Sequence, residues 1–98
     1  MTNKHQAKKI KVGRPQGSKR FEPEATQIFG QVVRQARQEA GVSQEALADL
    51  AGIDRSYIGR VERGETTPSL TLIIKIAKAL KISSGELMME TERLLKEL

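Results

Sequence analysis

The sequence predicts an all-α protein, and three observations carry that prediction. Apolar residues make up 38% of the 98 residues but aromatics only 3%, so the core is aliphatic, as packed helices allow. Apolar residues recur at i, i+3 and i+4 in several stretches, the spacing of one helix face. The stretch from Ser43 to Gly64, SQEALADLAGIDRSYIGRVERG, reads as two short helices joined by a tight turn.

The rest of the chain is organised around that stretch. Ser43 is an N-cap for a helix opening at Gln44, since its hydroxyl accepts from the orphan amides of the first turn. Leu47, Ala48 and Ala51 form the apolar stripe, and Ala48 is small where two helices cross steeply. Gly52 ends this helix at a position that calls for positive φ. Asp54 is the next N-cap, and Ile53, Ile58 and Val61 fill the space between the two helices. Arg55, Ser56, Tyr57, Gly59 and Arg60 are left facing outward. The pattern is a helix-turn-helix over residues 43–64 with Arg55–Arg60 as its recognition surface. The plainer alternative is a helical hairpin with no affinity for nucleic acid.

Ninety-eight residues make one small domain with a single core. There is no cysteine, which excludes disulfides and cysteine chemistry and fits a cytoplasmic home. No run approaches a membrane span, and the N-terminus has no apolar signal region. The formal net charge of +5 is lopsided: residues 1–20 carry seven Lys/Arg and no acid, and the remainder is slightly acidic. The high isoelectric point therefore belongs to the N-terminal arm, and the folded part must place its positive charge locally.

In chain order, residues 1–22 read as a flexible basic arm, predicted to be disordered in the free protein. Gly13-Arg14-Pro15 with flanking basic residues resembles an AT-hook, which lies extended in a narrow A·T minor groove. Val12 replaces the first arginine of that motif, and a solvated arm making non-specific phosphate contacts is the alternative. His5, alone in the arm, has no metal or catalytic role. Residues 23–98 form the domain. Glu22-Pro23-Glu24 marks the start of the first helix, which buries Ile28, Val32, Ala36 and Ala40 with Phe29 and Val33, and ends at Gly41. Arg34 is a solvated charge. Gly64 closes the recognition helix and Ser69 caps the fourth helix, Leu70 to Leu80, which is more apolar than one inward stripe requires. Ser83-Ser84-Gly85-Glu86 caps a fifth helix, with Leu87, Leu94 and Leu98 near one face.

The run VRQARQEAGVSQEALADLAGIDRSYIGRVERGETTPSLTLIIKIAKAL resembles the Cro/phage-repressor class of helix-turn-helix domains, the XRE family. Within it, IDRSYIGRVERG is most similar to the controller proteins of restriction–modification systems. The resemblance, over residues 28–88, implies a compact five-helix repressor-like DNA-binding bundle whose third helix enters the major groove. It also implies an ion pair between Arg37 and Glu62, and phosphate contacts from Arg63, Thr66 and Thr67.

One helix-turn-helix reads only about 4–5 base pairs, so a homodimer on an inverted repeat of double-stranded DNA is expected, joined through helices 4 and 5. Gln44 and the amides beside it would grip phosphate. Arg55 would read guanine through a two-point contact, Ser56 and Tyr57 would test neighbouring bases, and Arg60 would reach base or phosphate. Transcription regulation as a repressor or autoregulating controller follows. The alternatives are an antitoxin-like protein-interaction module, suggested by the apolar excess of helices 4 and 5, and an A·T-rich minor-groove nucleoid binder acting through Arg14. No catalytic residue, metal site, cofactor or small-molecule effector is expected, because there is no cysteine, the single histidine lies in the arm, and neither a phosphate-loop glycine pattern nor an acid pair at an evident cleft stands in the sequence.

Overall fold

A computed structural model describes the backbone of residues 18–98 and the side chains of residues 23–98. Residues 1–17 of the expected arm, Arg14 and the AT-hook-like segment among them, lie outside the described residues. Among those described there are five helices and no strand: α1 Ser18–Glu39, α2 Gln44–Ala51, α3 Arg55–Glu62, α4 Leu70–Leu80 and α5 Ser84–Lys96.

Local chemistry sets most of these boundaries. Ser43, Ser69 and Ser83 each have extended backbone, and their side chains accept from the amides of Ala46, Leu72 and Glu86. At Ser83 the arrangement is reciprocal, because its own amide donates to Glu86 Oε1 at 3.0 Å, a capping box. Gly52 leaves α2 with φ 70°, as the turn requires. Lys81 adopts φ 63° after α4, a conformation that costs a side-chain-bearing residue about 1 kcal/mol. Its amide bonds to the carbonyl of Lys78, and the next amide, of Ile82, to that of Ala77. Asp54 holds the N-cap position of α3, but its side chain makes no capping hydrogen bond.

The α1 start differs from the sequence expectation. The helix begins at Ser18 and carries Pro23 inside it, so the proline does not mark the boundary. A proline near a helix start forgoes one backbone bond while keeping a helical φ.

The core is aliphatic apart from Phe29, and holds Val32, Val33, Leu47, Ala48, Ile58, Val61, Ile76, Ala77, Leu80 and Leu87. Helix α1 packs on α3 and α5, α2 on α3 and α4, and α4 on α5. Two expected core positions lie elsewhere. Ala40 is exposed, because α1 has already ended at Glu39. Leu98 lies beyond the end of α5 and is 73% exposed. On the inner face of α5, Thr91 is buried instead, its hydroxyl donating to the carbonyl of Leu87 at 2.8 Å.

Gly30 was not singled out by sequence pattern, yet it sets how closely α1 approaches α3. A Cβ there would stand 2.3 Å from the Val61 carbonyl oxygen and 2.8 Å from that of Glu62. Only a glycine lets α1 lie against the end of α3 this closely. A glycine inside an otherwise periodic helix is the signal that could have revealed it.

Candidate nucleic-acid interface

Helix α3 presents its outer face beside the N-terminus of α2, and the two enclose a shallow groove of about 330 Å³. Gln44, Arg55, Ser56, Gly59, Arg60 and Arg63 line it. The inner side of α3 explains why this face is turned out: Ile58 and Val61 are buried in the core, and the turn at Gly52 fixes the angle to α2.

The expected ion pair is formed and anchors the groove from below. Arg37 Nε donates to Glu62 Oε2 at 2.6 Å and Nη2 to Oε1 at 3.1 Å, while Nη1 donates to the Val42 carbonyl at 2.9 Å. The Glu62 side chain is only 2% exposed and that of Arg37 12%, so both charges are paired where water barely reaches. The hydrogen bond to Glu62 raises the Arg37 pKa despite burial. One guanidinium thereby ties the C-terminal half of α1, the α1–α2 turn at Val42 and the last turn of α3 together.

Glu62 has a third partner that the sequence did not reveal. The Gln44 amide donates to Glu62 Oε1 at 3.0 Å. Gln44 was expected to grip phosphate, but one of its two N–H groups is already committed, which orients the side chain at the groove edge. The backbone amides of Gln44 and Glu45 remain at the N-terminus of α2, whose Ala46 amide is taken by Ser43.

The remaining expected residues divide clearly. Arg55, Ser56 and Arg60 are exposed on α3, as expected. Tyr57 is half-buried against the core, with the Arg60 guanidinium 5.3 Å from its ring centroid, a cation–π distance. Gly59, expected to face outward, is buried. A Cβ on it would meet Arg63 Nη1 at 3.0 Å and Gln44 Oε1 at 3.8 Å, so neighbouring side chains roof it.

Arg63 follows α3, and its guanidinium makes two bonds to Glu65, Nε to Oε2 at 2.8 Å and Nη2 to Oε1 at 3.1 Å. The hydrogen bond from Arg63 holds the Glu65 carboxyl below its usual pKa, and the same bond raises that of Arg63. Thr67 shares a 2.8 Å hydrogen bond between hydroxyls with Thr26 of α1, which pins the loop to the bundle. Thr66 is half-buried beside it. No cluster of acidic or histidine side chains able to hold a metal occurs among the described residues, and none of their helices is long and apolar enough to cross a membrane.

A helix-turn-helix unit buttressed by flanking helices, with a basic outer groove, defines the class of protein. The chain belongs to the helix-turn-helix family, whose model matches residues 33–87. It is 42% identical over 62 residues to the control protein C.SmaI of Serratia marcescens, covering 63% of this chain and 74% of that protein. Among solved structures, the restriction–modification controller protein C.AhdI of Aeromonas hydrophila is similar at 52% identity and a TM-score of 0.62, covering 63% of this chain and 94% of that one. The controller C.Esp1396I, solved as a tetramer in complex with its natural 35-base-pair operator, is similar at 26% identity and a TM-score of 0.66, over 70% of this chain and 91% of that one.

Proposed function

We propose that this protein is a sequence-specific double-stranded DNA-binding transcription regulator, a repressor or autoregulating controller, acting in the cytoplasm as a homodimer on an inverted repeat. The observation that carries the reading is the groove of Gln44, Arg55, Ser56, Gly59, Arg60 and Arg63, raised on the outer face of α3 by the Arg37–Glu62 pair beneath it. Arg55 makes no ion pair with any described residue and stands exposed at the N-terminal end of α3, the end of a recognition helix that meets base edges. Its fork matches the two acceptors of guanine. Arg60 and Tyr57 act as one unit beside it.

Pairing of two copies is supported by Leu70 and Ile74 on α4 and by Met88 and Met89 on α5, all exposed on two helices that pack together. Four large apolar side chains left in water on two adjoining helices are an oligomer surface. The likeness to a controller bound to its operator as a tetramer favours the same use here. The function is binding and not catalysis.

The test is enrichment of randomised duplex DNA by the full-length protein at about 150 mM salt, near physiological ionic strength. An enriched inverted repeat with half-sites about one helical turn apart is the expected result. Enrichment of A·T tracts without symmetry would move specificity to Gly13-Arg14-Pro15. Absence of any enriched sequence would sink the reading and leave a protein-interaction module.

A further inference from the structure

Arg63 and Glu65 stand two residues apart, and the way the chain reverses between them is fixed. Gly64 takes φ 74° and its amide bonds to the Val61 carbonyl, while the Glu65 amide bonds to that of Arg60 at 2.9 Å. These two bonds are a Schellman closure of α3. A Cβ on Gly64 would stand 2.9 Å from Gln27 Cα, so the reversal is also held against α1. The Glu65 backbone is therefore anchored to the recognition helix. Its carboxylate engages one side of the Arg63 guanidinium through Nε and Nη2.

That leaves the other edge. Both hydrogens of Nη1 and the second hydrogen of Nη2 remain, and Nη1 lies over Gly59 in the groove, 3.0 Å from where a Cβ would be. A guanidinium presents five donors in a rigid fork, so fixing one edge aims the other. We propose that Glu65 is a positioning residue of the interface: it holds Arg63 end-on across Gly59, so that Nη1 and Nη2 meet a pair of acceptors together. A guanine edge and a phosphate both offer such a pair. Arg63 is on this view a fixed two-point reader and not a loose cation, and the missing side chain of Gly59 is its seat. The pair is exposed in the free protein, 58% for Arg63 and 51% for Glu65, so it adds little to stability there. DNA covering the groove excludes water and makes the fixed orientation count.

This inference rests on the DNA-binding reading, and the two fail differently. Full-length protein and the variants Glu65→Gln, Gly59→Ala, Arg63→Ala and Glu65→Gln/Arg63→Ala are titrated against the enriched duplex and a random duplex of equal length. The ratio of the two affinities is the readout. Glu65→Gln lowers the ratio about tenfold, although losing an acid strengthens attraction to any DNA. Gly59→Ala lowers it too with no change of charge, because the new methyl displaces Nη1. In the Arg63→Ala background, Glu65→Gln changes the ratio no further. Equal strengthening on both duplexes by Glu65→Gln, with the ratio kept, makes Glu65 only a charge and overturns the proposal. So does an effect that survives in the Arg63→Ala background. If the unmodified protein shows no selectivity, the DNA reading itself fails first. The acceptor is located with 7-deazaguanine at single guanines, which removes a base acceptor, and with single methylphosphonates, which remove a phosphate charge. One of these abolishes the sensitivity to Glu65→Gln; insensitivity to every one of them overturns the two-point assignment.

Discussion

Three arginines on the groove are restrained to three degrees, and that ordering governs what each substitution does. Arg55 has no ion-pair partner among the described residues, Arg60 lies on the Tyr57 ring, and Arg63 is gripped from the side by Glu65. Arg55→Ala is expected to cost about 1–3 kcal/mol on the enriched duplex and little on random DNA. An equal loss on both, in anisotropy titrations, would make it a phosphate clamp. Arg37 works from beneath. Arg37→Ala leaves Glu62 charged, 2% exposed and held only by Gln44, and should cost about 3–5 kcal/mol in urea unfolding. A loss below about 1 kcal/mol would show the pair to be solvated after all. The Glu65 carboxyl is depressed below its ordinary value by the Arg63 hydrogen bond. A depressed acid keeps its partner above the ordinary carboxylate range and loses it as pH falls through the depressed value. Selectivity is therefore expected to stay level between about pH 8 and about pH 6, and a fall in that window would implicate another group.

Helices meet here through small residues and caps, and the caps are what a sequence displays. The serines at 43, 69 and 83 were readable because a hydroxyl before an apolar-periodic run satisfies amides close in sequence. Asp54 sat in the right place by the same logic but does not cap, since cap geometry depends on a side-chain rotamer that pattern does not fix. Gly30 and Gly59 were misjudged or missed because their constraint comes from another part of the chain. The Val61 carbonyl closes the space at Gly30, and the Arg63 guanidinium roofs Gly59. The glycines at 30 and 85, each within a helix, give a paired test. Gly30→Ala should destabilise by about 1–3 kcal/mol through overpacking. Gly85→Ala, with only Ser83 Oγ at 3.7 Å, should stabilise by about 0.5–1 kcal/mol through helix propensity. A thermal melt of Gly30→Ala that is unchanged or rises would contradict the close α1–α3 approach.

At the scale of the whole molecule, positive charge is concentrated at the start of the sequence, where residues 1–20 hold seven Lys/Arg and no acid. Residues 1–17 hold five of the seven arm Lys/Arg, and deleting them should weaken binding to every duplex and flatten its salt dependence. Unchanged affinity at physiological salt would make the arm a bystander. Leu70→Glu with Ile74→Glu should convert a dimer to monomer in sedimentation equilibrium and weaken operator binding, with the monomer still folded. A dimer that persists would place the contact elsewhere. By itself the amino-acid sequence determined the helical class, the five helical segments and the exposure of Arg55, Ser56 and Arg60 on α3, because caps, turn glycines and a 3.6-residue apolar period act over a few residues each. The Arg37–Glu62 pair spans 25 positions, and it was legible only through a family resemblance. Tertiary structure alone decided that Gln44 shares Glu62, that Thr67 is tied to Thr26, that Gly30 lets α1 touch α3, and that Glu65 aims Arg63 over Gly59. Each depends on where side chains from different elements come to rest. Packing fixes that, and local propensity does not.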